Sequence, residues 1–169
     1  MATNGRSHPE WIETWIRDWS DKLTRYAWQM TADRQLAQDV AQETFLRLYV
    51  FHARHPMRDI TPSWLFTVAK NVARDLLRST HATSPLVDAD MVEDAKSLAA
   101  PLSLAVQDIL TRLAPDDREC LYLFYYADLS TDDIARHLGI SRGAVRARLF
   151  RARQRFQSQW EDHSDAPLR

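Results

Sequence analysis

The stretch Ser130-Thr131-Asp132-Asp133-Ile134-Ala135-Arg136-His137-Leu138-Gly139-Ile140-Ser141 decides the fold. It reads as a helix, a turn built on Gly139 and a fresh helix cap at Ser141, the spacing a helix-turn-helix requires. The helix that Ser141 starts carries the chemistry. On a wheel of 100° per residue, Val145, Leu149, Ala152 and Phe156 fall in one narrow apolar stripe, suited to docking on the preceding helices. Arg142, Arg146 and Arg153 line one edge of the stripe, and Arg148, Arg151 and Arg155 line the other. Gly143, Ala147, Phe150 and Gln154 occupy the outward centre. Small central residues between two arginine rows suit a major groove, where the rows face the phosphate walls and N-terminal residues reach base edges. A solvated basic helix end, or a helix for RNA or a membrane surface, is the bland alternative. Arg142 and Arg146 are the best candidates for bases, whereas Arg148 or Arg155 can instead pair with acids of their own module, such as Asp132 or Asp133.

Upstream, Leu102 to Leu113 and a helix launched at Pro115 complete a four-helix module over residues 102–160, followed by a tail over 161–169. Residues 81–101 lose the helical periodicity and gather Asp88, Asp90, Glu93 and Asp94 between Pro85 and Pro101. That composition predicts a solvated acidic linker and a domain boundary. Before it, residues 7–80 predict three helices. Ser7-His8-Pro9-Glu10 opens the first, running to about Met30. Thr31 to about His52 forms the second, and Thr61-Pro62 opens a third with Leu65, Val68, Ala69, Val72, Ala73 and Leu76 at three- and four-residue spacing. The chain is therefore expected to be all-α, two small helical modules joined by an acidic linker.

The second helix has two readable faces. Leu36, Ala37, Val40, Ala41, Phe45 and Leu48 form the broad side to be buried, while Gln35, Asp39, Gln42 and Glu43 surround Leu46 and Val50 on the other. An apolar centre in a polar, acidic rim has the anatomy of a protein-binding patch. Two stray exposed apolar residues would be ordinary on any surface. On the third helix the polar arc holds Thr67, Lys70, Asn71, Arg74 and Arg78, with Trp64 at its margin. Cations beside an amide and a ring suit single-stranded nucleic acid, and the loop from His52 to Ser63, with Arg54, His55 and Arg58, adds to that surface. Trp64 serves equally well as packing between helices; Trp11, Trp15, Trp19 and Trp28 are expected in the core or in helix packing. His52 and His55 lack a third ligand, so no metal or other cofactor is implied.

Bulk composition sets the limits. The 169 residues are 45% hydrophobic, with six Trp and only three Gly, which supports packed cores and disfavours a turn-rich all-β design. The net charge of -1 hides a polarised molecule: without the six arginines between Arg142 and Arg155, the remainder carries about -7. One cysteine, Cys120, excludes an internal disulfide and a cysteine-cage zinc site. No stretch is apolar enough to span a bilayer and no signal-peptide core opens the sequence, so the cytoplasm is the expected compartment.

Three segments carry a resemblance. Leu36-Ala37-Gln38-Asp39-Val40-Ala41-Gln42-Glu43-Thr44-Phe45-Leu46-Arg47 resembles the segment with which sigma factors of the extracytoplasmic-function (ECF) type, in the sigma-70 superfamily, grip the clamp helices of the polymerase β′ subunit. Trp64-Leu65-Phe66-Thr67-Val68-Ala69-Lys70-Asn71-Val72-Ala73-Arg74-Asp75 resembles their -10 element reader. The last module, from Leu113-Ala114-Pro115-Asp116-Asp117-Arg118 to Gly143-Ala144-Val145-Arg146-Ala147-Arg148-Leu149-Phe150-Arg151-Ala152-Arg153, is similar to their -35 reader.

The resemblance implies a non-enzymatic subunit, monomeric when free, that binds core RNA polymerase through β′ and the β flap and takes it to promoter DNA. It implies capture of an unpaired non-template base by the loop from His52 to Ser63 and Asn71, and an acidic linker that threads toward the RNA exit path. An anti-sigma factor is the expected inhibitor. Ala144 and Ala147 stand where the family usually has Thr and Ser, so the promoter sequence does not carry over from relatives. The alternative is a conventional helix-turn-helix transcription regulator, which needs a ligand pocket or a self-complementary surface. A small helical enzyme is disfavoured because no catalytic constellation stands out, Asp39 and Glu43 reading as a solvated i,i+4 pair.

Overall fold

The computed structural model describes residues 10–81 and 104–164. It contains seven helices and no strand among the described residues. The helices divide between two compact units, one drawn from Met1–Ile60 and Val68–Ser84, the other from Thr61–Thr67 and Pro85–Arg169. The cap at Ser7 and the acidic linker residues Asp88 to Asp94 lie outside the described residues.

In the first unit, α1 (Glu10–Thr31) and α2 (Arg34–Arg54) are joined by two residues. So short a connection turns the chain back on itself and makes neighbouring helices pack side by side. The second helix begins later than its sequence pattern predicts. Thr31 closes α1, its hydroxyl donating to the Ala27 carbonyl at 3.0 Å, and Ala32 takes a left-handed φ of 51° that stops the helix. The cap passes to Asp33, whose Oδ1 accepts from the Leu36 amide at 2.8 Å. The end also shifts: His52, Ala53 and Arg54 are helical, His55 is the C-cap, and α3 (Pro62–His81) includes Ser63, leaving a loop of 55–61. Pro62 suits the first helical position because its missing N–H would have no partner there.

The predicted inner face of α2 is buried at Ala37, Val40, Ala41, Phe45 and Leu48, with Leu36 half-buried. Thr44 is buried among them, satisfied by donating to the Val40 carbonyl at 2.7 Å. Ile12, Leu23, Tyr26 and Ala27 of α1 and Ala69, Val72 and Ala73 of α3 complete this core. The four tryptophans of α1, expected in the core or in helix packing, are half-buried. Trp15 stacks on Trp19 at 6.1 Å between centroids, and Trp11 lies 4.1 Å from the His52 ring. Tyr26 and Leu23 fill the interior instead.

The second unit contains α4 (Leu104–Arg112), α5 (Pro115–Leu121), α6 (Thr131–Leu138) and α7 (Arg142–Ser164). Between α5 and α6, residues Tyr122–Tyr126 make one π-helical turn, seen in the Ala127 amide bonding the Tyr122 carbonyl at 3.0 Å. Ile109, Leu113, Cys120, Leu121, Leu123, Leu129, Ile134, Val145, Leu149 and Ala152 form the core. His137 is buried as well, its Nε2 3.0 Å from Glu119 Oε1 and its Nδ1 3.0 Å from Thr67 Oγ1. The Glu119 contact ties α6 to α5.

Candidate nucleic-acid and polymerase interfaces

The turn between α6 and α7 is built as its sequence predicts. Ser130 Oγ accepts from the Asp133 amide at 3.1 Å and caps α6. Gly139 ends that helix at φ 66°, a left-handed conformation that costs a residue with a Cβ about 1 kcal/mol. Ser141 Oγ then accepts from the Ala144 amide at 3.1 Å and starts α7.

Alpha-7 presents the two faces expected of it. Val145, Leu149 and Ala152 are buried and Phe156 is half-buried, while Gly143, Ala147, Phe150 and Gln154 are exposed, Phe150 by 60%. The arginines are not equivalent. Arg148 pairs with Asp116 at 3.5 Å and is mostly covered, and Arg155 pairs with the buried carboxylate of Asp117. These two fasten α7 to the first turn of α5. Their partners differ from those expected, because Asp133 is occupied by Arg136 at 2.9 Å and Asp132 by Arg142 at 3.3 Å. Arg153 lies over the rings of Phe124 and Tyr125, 5.5 and 5.3 Å from their centroids. Arg146 and Arg151 make no ion pair among the described residues and flank the exposed row of Ala147 and Phe150. Arg142, Arg146 and Arg151 therefore keep donors available for a partner, whereas Arg148 and Arg155 hold the helix in place.

On the first unit, Gln35, Asp39, Gln42, Leu46 and Val50 are exposed along α2 and Glu43 is partly so. Leu46 exposes 61% of its surface. Gln35 Nε2 donates to Asp39 Oδ1 at 3.0 Å, and Arg47 Nε donates to Glu43 Oε1 at 2.8 Å, so both carboxylates are held in orientation. An open groove of about 330 Å³ runs beside Leu46, lined by Asp39, Gln42, Glu43 and Arg47 of α2 and by Val72, Asp75 and Leu76 of α3. The contribution of α3 was invisible in the sequence, since Asp75 and Leu76 lie about thirty residues from Leu46 and become neighbours only when the helices pack.

Of the residues proposed for single strands, Asn71, Arg74 and Arg78 are exposed on α3 in the first unit, and Lys70 is half-buried. Arg78 lies 3.9 Å from Asp75. Trp64, also half-buried, falls in the segment 61–67 that counts with the second unit. His52 and His55 sit against the rings of Trp11 and Phe51, the latter pair 4.9 Å apart. No helix of the described residues is long and apolar enough to cross a membrane.

The second unit thus carries a helix-turn-helix with an arginine-edged second helix, and the first unit an apolar groove with an acidic rim. The family profiles for Sigma-70 region 2 and Sigma-70, region 4 match residues 15–83 and 103–156. The chain is 30% identical over 141 residues to the ECF RNA polymerase sigma factor SigM of Bacillus subtilis, covering 79% of this chain and 85% of that protein. It is 34% identical over 141 residues to the ECF RNA polymerase sigma factor SigL of Mycobacterium tuberculosis, covering 77% of each. The fold is also that of the sigma factor RpoE solved with the anti-sigma factor NepR from Bartonella quintana, at TM-score 0.67 and 20% identity over 90% of this chain and 98% of that one. The chain belongs to the ECF RNA polymerase sigma factors. It is an alternative sigma factor that directs core RNA polymerase to specific promoters for the initiation of transcription.

Proposed function

We propose that residues 7–80 bind core polymerase and recognise and melt the -10 element, that 81–101 link the modules, and that 102–160 read the -35 element. In this division α2 docks on the β′ clamp helices through Leu46 and Val50, with Gln35, Asp39, Gln42 and Glu43 forming the rim. Charged and polar rims of this kind set register and partner choice more than raw affinity. Trp64, Lys70, Asn71, Arg74 and Arg78 serve the unpaired -10 strand. Arg142, Arg146, Ala147, Arg148, Phe150 and Arg151 form the -35 face, with Arg148 acting through the position it gives α7. The observation that carries this reading is the exposed row of Ala147 and Phe150, opposite a buried apolar stripe and flanked by Arg146 and Arg151, which make no ion pair among the described residues.

The protein works as a subunit without catalytic residues of its own, in the cytoplasm, monomeric when free. An anti-sigma factor holds it inactive, a partner supported by the NepR complex of the Bartonella protein, whose fold this chain shares. The test is run-off transcription from a pool of random promoter fragments, adding the full chain to sigma-free core polymerase, with Leu46→Glu as control. Selective transcripts that vanish in the variant are expected. Sequence-specific duplex binding without polymerase, and no transcripts, would instead identify a conventional helix-turn-helix regulator.

A further inference from the structure

Arg142 opens α7, the end of the reader that points to base edges, and its guanidinium is already engaged. Nη1 lies 3.3 Å from both carboxylate oxygens of Asp132, in the first turn of α6. Both side chains are more than half exposed, 53% and 58%, whereas each pair that fastens the rest of α7 has one covered partner, Arg148 or Asp117. Nε and Nη2 of Arg142 make no bond among the described residues. We infer that Asp132 is a specificity-determining residue, which holds Arg142 by one nitrogen and leaves its other edge to a guanine while opposing indiscriminate phosphate contact. This role rests on the reading of α7 as the duplex reader.

The physical argument compares two occupants of the free edge. A guanine presents O6 and N7 as two acceptors in the major groove, and one guanidinium edge supplies two parallel donors for them. Arg142 can make that contact without leaving Asp132, so the carboxylate restricts its rotamers in advance and little ordering entropy remains to be lost. A phosphate offers charge and no base pattern. To reach one, Arg142 must leave Asp132 or bring a carboxylate beside a phosphodiester, and either route reduces the gain. The same pair therefore helps the correct sequence and penalises the rest, by opposing a wrong contact as well as shaping the right one. Asp133 does not share the role, because it accepts at the cap of α6 and pairs with Arg136.

The experiment uses holoenzyme assembled from core polymerase and the full chain. It measures binding to a promoter duplex selected in the transcription assay and to the same duplex with its -35 element scrambled, at three salt concentrations. Wild type, Asp132→Asn, Arg142→Ala and the double variant are compared, with Arg146→Ala as a control for the reader. Asp132→Asn is expected to tighten binding to the scrambled duplex about three- to tenfold, at most doubling affinity for the selected one, so discrimination falls roughly fivefold. Its salt slope on scrambled duplex steepens by about 0.9, one added phosphate contact. In the Arg142→Ala background neither change is expected. Unchanged discrimination in Asp132→Asn, or the same change with Arg142 absent, would overturn the role of the pair. If the wild-type holoenzyme does not discriminate and Arg146→Ala is silent, the reader itself fails.

Discussion

Asp117, in the first turn of α5, holds the guanidinium of Arg155 far along α7, and does so from a buried position: its side chain is 8% exposed while that of Arg155 is 55% exposed. The two partners are therefore not interchangeable when removed. Arg155→Ala strands a carboxylate out of water and is expected to cost about 2–3 kcal/mol of unfolding free energy. Asp117→Asn leaves a guanidinium that water can reach and is expected to cost about 1 kcal/mol. Urea denaturation of each variant measures the asymmetry, and equal losses would show that Asp117 is solvated in solution.

The proposed division of α7 into reading and fastening arginines separates affinity from stability. Arg146→Ala is expected to weaken promoter binding by about 1–3 kcal/mol, relaxing choice at one -35 position, with the melting temperature unchanged. Arg148→Ala is expected to lower the melting temperature through loss of its Asp116 contact. Thermal melts beside duplex titrations of both variants check this, and a destabilised Arg146→Ala would sink the assignment.

The groove beside Leu46 makes a prediction about α3. Asp75→Arg places a cation opposite Asp39 and Glu43 across the lining and should weaken binding of core polymerase at least tenfold. Affinity of the variant for sigma-free core, read by fluorescence anisotropy, should fall with helicity intact. Wild-type affinity would confine the interface to α2.

Ala32 is left-handed at φ 51° and exposed at the turn joining α1 to α2. Glycine adopts that conformation without a Cβ clash, so Ala32→Gly is expected to stabilise the first unit by about 0.5–1 kcal/mol. A lower denaturation midpoint would show that the turn is not left-handed in solution.

Cys120 is buried, and desolvation pushes its thiol up to about 11, with Arg148 opposing the shift and Asp117 adding to it. The thiolate is the reactive form, so iodoacetamide should label the native protein far more slowly than the urea-unfolded one at pH 8. With the folded value raised, the stability this adds is present below the unfolded thiol's titration and is lost as pH rises through the folded one. Labelling at equal rates in both states would show that the thiol is open to solvent.

Much of this was legible in the chain. The helix-turn-helix of residues 130–141, the buried stripe of Val145, Leu149 and Ala152 and the exposed Leu46 arise from local periodicity, capping and turn chemistry, which neighbouring residues settle among themselves. The start of α2 was misplaced by three residues because Thr31 and Asp33 are both good caps, and the choice was made by the left-handed Ala32 between them. The sequence left the depth of the α1 tryptophans open between core and helix packing. Periodicity says which residues share a face but not how deep a neighbouring helix buries it, and Tyr26 took the interior while Trp15 and Trp19 stacked near the surface.

What tertiary structure alone decided is the use of each charge. Six arginines at helical spacing look alike in sequence; their roles diverge because Asp116, Asp117 and Asp132 arrive from other helices, ten to almost forty residues away, to meet three of them. The sequence determined that α7 would be a basic helix with one dry face. Packing determined which cations hold it and which stay open to a partner, since an ion pair between helices depends on distances of a few ångströms that only their packing sets.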